Sequence, residues 1–163
     1  MKRFTYIFIL GLVSCGQLTP ETIENKQGGY QVTVLPGWRQ ELDGESLLLS
    51  RVVNQQKAII SVHLHDPEFP TLQESVSHYT DRLIWDFTDA RKIGDGESVI
   101  NDMQTFWYRM TADQGTMRQE ILIYMLQFDT GKFVQIVCIA KENSFINFEE
   151  EMTKTVFSFK RIR

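Results

Sequence analysis

The chain is poor in cysteine, with two in 163 residues, Cys15 and Cys138, and no C-x-x-C pair. That excludes dithiol redox chemistry and the cysteine-rich zinc frameworks. A G-x-S-x-G elbow and a P-loop are also missing, and three histidines stand in no catalytic motif. An enzyme is therefore not expected, and no cofactor is implied. Long apolar runs are absent too. The most extended, residues 4–13, is broken by Thr5 and Gly11 and falls short of the roughly 20 apolar residues that a spanning helix needs. Basic charge is scarce, with 17 Lys and Arg against 21 Asp and Glu. Without a basic stripe to neutralise phosphates, no nucleic-acid partner is expected. There is no internal repeat and no low-complexity tract.

What the chain does have is a stretch dense in β-type residues between positions 117 and 140. Residues 121–126, I-L-I-Y-M-L, are apolar on both sides of a strand, and residues 133–140, F-V-Q-I-V-C-I-A, repeat the pattern. Asp129, Thr130 and Gly131 between them suit a short hairpin turn. A strand wet on one face alternates apolar with polar, so one apolar on both faces has to be covered on both. The expected fold class is α+β: an antiparallel sheet with helices packed on its faces and this hairpin at its centre. Cys138, mid-strand, reads as a small buried hydrophobe.

The N-terminus has Lys2 and Arg3, then the short apolar run, then Leu12-Val13-Ser14-Cys15-Gly16. A charged start, a brief apolar core and small residues describe a secretory signal peptide. The last five residues resemble the lipobox of bacterial lipoproteins, which implies cleavage before Cys15 and acylation of its thiol. With Gly16 rather than aspartate after the cysteine, the resemblance favours the outer membrane, facing the periplasm. Several acyl chains at about 0.8 kcal/mol per buried CH₂ anchor a domain without a spanning helix. Removing residues 1–14 also removes Lys2 and Arg3, so the mature net charge falls from −4 to −6. The expected organisation is a signal peptide over 1–14, a lipidated cysteine and flexible polar tether over 15–29, and one domain over 30–163.

Along that domain, residues 30–35 alternate as a strand stopped by Pro36-Gly37, with Trp38 as a bulky plug. Residues 46–53 and 57–65 form a hairpin turned at Asn54-Gln55-Gln56. Thr71 and Glu74 make a capping box, and Leu72, Val76, Tyr79, Leu83 and Phe87 follow as one helical stripe. Strands are expected over 90–93 and 97–100 across a Gly94-Asp95-Gly96 turn, then over 103–112 after an Asn101-Asp102 turn. A last helix, capped by Asn143 or Ser144, carries Phe145, Phe148, Met152 and Val156 on its buried stripe. Glu149 to Glu151 are expected near its positive end.

With L-P-G-W after the first strand and T-V-F-S-F-K at the close, this order of elements resembles the PsbP-like fold. That group includes photosystem II extrinsic proteins and bacterial DcrB-like lipoproteins. The resemblance implies an α/β/α sandwich and a binding or scaffolding module rather than a reaction.

Two sets of residues are candidates for a site. His63 and His65, two apart on a strand, share a face, and Asp66 or Glu68 follows; His78 on the helix is a possible further ligand. The same pattern also fits a polar strand edge facing solvent. Gly94-Asp95-Gly96-Glu97 lacks the ligand spacing of a calcium loop and reads as a turn. Trp38, Trp85 and Trp107, with Tyr108, can line a cleft or docking patch, or simply pack the sheet. The function expected is that of a lipid-anchored envelope protein whose domain serves as a protein-binding or scaffolding module, for another envelope protein or an envelope component. The alternative is a lipoprotein that binds a small ligand or a divalent metal.

Overall fold

A computed structural model describes residues 19–66, 71–83, 87–129 and 132–162. Its main body is a seven-stranded antiparallel sheet. In chain order the strands are β3 (Arg39–Asp43), β4 (Ser46–Val53), β5 (Gln56–His65), β6 (Thr88–Ile100), β7 (Met103–Gln114), β8 (Met117–Asp129) and β9 (Lys132–Lys141). Their order across the sheet is β3-β4-β5-β9-β8-β7-β6. A smaller sheet, ordered β1-β2-β10, joins β1 (Glu21–Asn25), β2 (Tyr30–Val34) and β10 (Lys160–Arg161). Two helices complete the domain, α1 (Leu72–Leu83) and α2 (Glu142–Phe157).

The β8–β9 hairpin lies inside the sheet, each strand bonded on both edges. Ile121 and Leu122 point to opposite sides of β8, and both are buried, at 0% and 6% exposure. Burying such a side chain stabilises by about 1.5–3 kcal/mol, and this hairpin does so on both of its faces. Its expected turn at Thr130 and Gly131 lies outside the described residues. Two neighbouring hairpins close through residues with positive φ: Asn54 (49°) with Gln55 (64°), and Asn101 (45°) with Asp102 (66°). A pair of left-handed residues is what a two-residue hairpin turn requires, because it matches the strand twist.

Val76 and Tyr79 of α1 cluster with Phe106, Met125 and Phe133. The α2 stripe, Phe145, Phe148, Met152 and Val156, clusters with Leu122, Tyr124 and Leu126 of β8 and with Val32 and Val34 of β2. Thr71 begins α1 as expected: the Glu74 N–H donates to Thr71 Oγ1 at 3.2 Å. The reciprocal contact differs, since the Thr71 hydroxyl donates to the Glu74 carboxylate at 2.8 Å.

Four local expectations are corrected. Residues 21–25 are not tether: they pair with β2, and Ile23 is buried. Asn25 holds them in place, its Nδ2 donating to Gly44 O at 3.0 Å and to Tyr30 Oη at 3.2 Å. The Tyr30 hydroxyl in turn donates to Glu45 O at 3.1 Å. Burial raises the pKa of that phenol from 10.0 to about 12. Second, β3 has no counterpart in the sequence reading, because all five of its residues are exposed and no apolar alternation marks it.

Third, the two short strands around Gly94 are one long strand, β6, which slips register between Lys92 and Gly94. A bulge absorbs the irregularity that reads as a turn. Fourth, α2 begins at Glu142 after Lys141, with no side-chain cap. Ser144 donates its hydroxyl back to Lys141 O at 3.0 Å. Glu149, Glu150 and Glu151 therefore sit in mid-helix, and each forms an ion pair there, with Arg109, Lys154 and Arg51 respectively.

Candidate interaction site

His63 and His65 share a face of β5, with ring centroids 6.5 Å apart. Their neighbours differ. His63 Nδ1 and Ser46 Oγ share a hydrogen bond at 3.2 Å, and burial lowers the His63 pKa. Gln135 Oε1 accepts from His65 Nε2 at 3.3 Å, and the His65 ring stacks on Tyr79 at 4.1 Å. His78 meets the same tyrosine edge-on at 5.3 Å. Asp66 is exposed, and Glu68 lies outside the described residues. Among the described residues no three His, Cys, Asp or Glu side chains are grouped to hold a metal ion. The expected His63–His65–Asp66 site is thus not assembled: each imidazole is engaged by a separate part of the protein.

The two described tryptophans, Trp38 and Trp107, have different partners. Trp38 packs against the core below α2 and donates its Nε1–H to Glu151 Oε2 at 3.1 Å. The same carboxylate pairs with Arg51, whose Nη1 also donates to Pro36 O at 3.1 Å. Trp38 therefore ties the β2–β3 connection to α2. Trp107 packs on the α2 cluster and lies over Gly94 and Gly96 of β6. Trp85 lies outside the described residues.

Beside Trp107 on β7, Arg109 joins two elements. It pairs with Glu120 of β8 at 2.5 Å and with Glu149 of α2 at 2.7 Å, and its guanidinium lies 5.1 Å from the centre of the Phe145 ring. Partial burial works against its charge, but the hydrogen bonds to Glu149 and Glu120 outweigh this and raise its pKa.

The concave surface lies elsewhere, between α1 and the β6 end of the sheet. At the start of α1 a cleft of about 620 Å³ has Leu72 and Gln73 on the helix wall, Glu97 and Val99 on the strand wall, and Phe106 and Phe133 on its floor. Further along α1 a second hollow of about 230 Å³ is lined by Thr80 and Asp81, by Lys92 and Asp95, and by Tyr108. The two hollows share Gln73 and Phe106, so they form one groove. Its shape follows from the pleat. Asp95, Glu97 and Val99 alternate on β6 opposite Tyr108, Phe106 and Gln104 of β7, so all point to the α1 side. Lys92 Nζ pairs with Asp95 at 2.8 Å and sits 5.6 Å from the Tyr108 ring centre. Apolar floor and charged rim together suit recognition of another molecule.

Cys15 lies outside the described residues. Cys138 is a buried free thiol whose pKa burial pushes up, which makes it unreactive. Among the described residues no helix is long and apolar enough to cross a membrane.

No protein-family profile matches the chain, and no curated protein matches it in sequence. Solved structures do match. The cyanobacterial PsbP of Synechocystis sp. PCC 6803 superposes with a TM-score of 0.67 at 12% identity, over 91% of this chain and 95% of that one. LpqN of Mycobacterium tuberculosis, involved in cell envelope biogenesis, gives 0.67 at 6% identity, over 87% and 90%. A Pseudomonas aeruginosa protein of unknown function gives 0.60 at 5% identity, over 85% and 94%. At such identities the likeness is one of fold: the mostly antiparallel sheet with two helices is PsbP-like.

Proposed function

We propose that this protein is a lipid-anchored component of the cell envelope whose single domain binds another envelope protein and performs no catalysis. In this reading the chain is acylated at Cys15 and held at the outer membrane, facing the periplasm. The lipobox-like residues 12–16 and the envelope role of the structurally similar LpqN support it. The domain is an α/β/α sandwich, α1 on one face and α2 on the other. Support comes from Met125, which clusters with α1 residues, while Leu122 and Tyr124 cluster with those of α2.

The observation that carries the binding role is the groove beside α1, an apolar floor flanked by charge and left open by the described residues. A concave surface that combines an apolar floor with a few polar groups is the default place to look for a ligand. The test is affinity purification of the full chain after crosslinking in its native host. One or a few envelope proteins recovered in defined proportion would support the reading. Recovery of the tagged chain by itself, at native expression, would overturn it.

A further inference from the structure

We propose that the α1–β6 groove takes a basic segment of the partner protein, with Lys or Arg side chains against Glu97 and Asp81 and an apolar side chain on Phe106. The proposal rests on the binding-module reading and assigns that groove its class of ligand.

Charge is the first argument. Asp81 on α1 and Asp95 and Glu97 on β6 line the opening, and Lys92 is the cation among them. Lys92 is committed to Asp95 and Tyr108. Glu97 in the larger hollow and Asp81 in the smaller one have no ion pair among the described residues, so each hollow presents a carboxylate to a ligand. A cationic side chain entering either hollow gains from the carboxylate on its wall, and two cations spaced along one segment gain from both. The same field repels an anionic peptide, a nucleic acid or an anionic lipid surface.

The floor supplies the second argument. Phe106 and Phe133 close the cleft from below, and Val99 on the rim is 64% exposed. A segment that is only basic would leave this apolar surface wet, so the ligand needs a large apolar side chain among its cations. The wall also carries an unanswered polar group. Thr80 is 5% exposed, and its Oγ1 has no hydrogen-bond partner among the described residues, where buried hydroxyls ordinarily have one. Finally, β6 is the last strand of the sheet among the described residues, so an extended segment can pair along its outer edge.

The test is selection of displayed random peptides against the full chain purified in detergent, with counter-selection against an Asp81→Lys, Glu97→Lys variant. A milder Asp81→Asn, Glu97→Gln variant, checked for native near-ultraviolet circular dichroism, guards against misfolding. The expected result is enrichment of peptides in which Lys or Arg flanks a large apolar residue. Their binding should weaken about tenfold or more in the charge-reversed variant, less in the neutral one, and not at all in Glu41→Lys on the distant strand β3. Enrichment of acidic or uncharged peptides, no enrichment, or equal binding by the charge-reversed variant would overturn the proposal. If native partners still co-purify with the charge-reversed chain, the binding module stands and only this groove assignment falls.

Discussion

The indole of Trp107 lies across Gly94 and Gly96 on the neighbouring strand. A Cβ placed on Gly96 would stand 3.0 Å from the indole Nε1, and one on Gly94 would stand 3.6 Å from the ring. Both glycines are on β6, at the edge of the sheet. The aromatic ring covers backbone that lacks side chains of its own, an arrangement that supports glycines in an edge strand. Gly96→Val is therefore expected to destabilise by overpacking, about 1–3 kcal/mol. In a Trp107→Ala background the same change should cost clearly less, because the clash is gone. Urea unfolding of the two single variants and the double variant checks this, and equal costs in both backgrounds would show the ring and the glycines to be independent.

Arg109 is expected to matter as a bridge. Glu120 is buried beside it, and Glu149 approaches from α2. Arg109→Ala leaves the Glu120 carboxylate without its partner, at a cost of about 2–3 kcal/mol, somewhat below that of a fully enclosed pair. Adding Glu120→Ala should recover part of that loss. Denaturation midpoints of the wild type and the two variants decide the matter; a double variant no better than Arg109→Ala alone would contradict it.

His63 predicts a pH dependence. Burial holds its pKa below the ordinary 6.5, so the folded chain binds fewer protons than the unfolded one in that window. Its contribution to stability is present above pH 6.5 and is lost as pH falls through the lower folded value. His63→Gln should flatten the decline in stability between neutral and mildly acid pH. Unfolding free energies measured across that range in both proteins check the slope.

The proposed lipid anchor has its own test. Radiolabelled palmitate is expected to enter the wild-type chain and not a Cys15→Ser variant, which should leave the membrane fraction. Label retained by the variant would place the acyl group on another residue.

Much of this architecture was legible in the residues, for identifiable reasons. The two-faced runs at 121–126 and 133–140 predict the inner hairpin because burial on both sides leaves no room for polar alternation. Thr71 with Glu74, and Phe145 with Phe148, Met152 and Val156, mark helices because caps and stripes are local. The missed pieces depend on distant partners. In β1 only Ile23 and Asn25 are buried, and Asn25 finds its partners on Tyr30 and Gly44. Strand β3 is wholly exposed and follows β4 by backbone pairing. In β6 Gly94, Asp95 and Gly96 read as a turn but continue the strand after a bulge at Ile93. The groove was invisible for the same reason: its walls come from α1 and β6, brought together only by packing. Of the candidate contact residues only Tyr108 lines it, while Asp95 and Glu97 read as part of a turn; neither described tryptophan lines it.

Site-specific photocrosslinking in the native host tests the central claim most directly. A photoreactive residue replaces Gln104 or Ser77 in the groove, or Glu41 on the far edge strand. The expected result is a discrete protein adduct from the groove positions and none from position 41. Absence of any adduct at the groove under native expression, with the chain folded and in the membrane fraction, would contradict a protein-binding role for this domain.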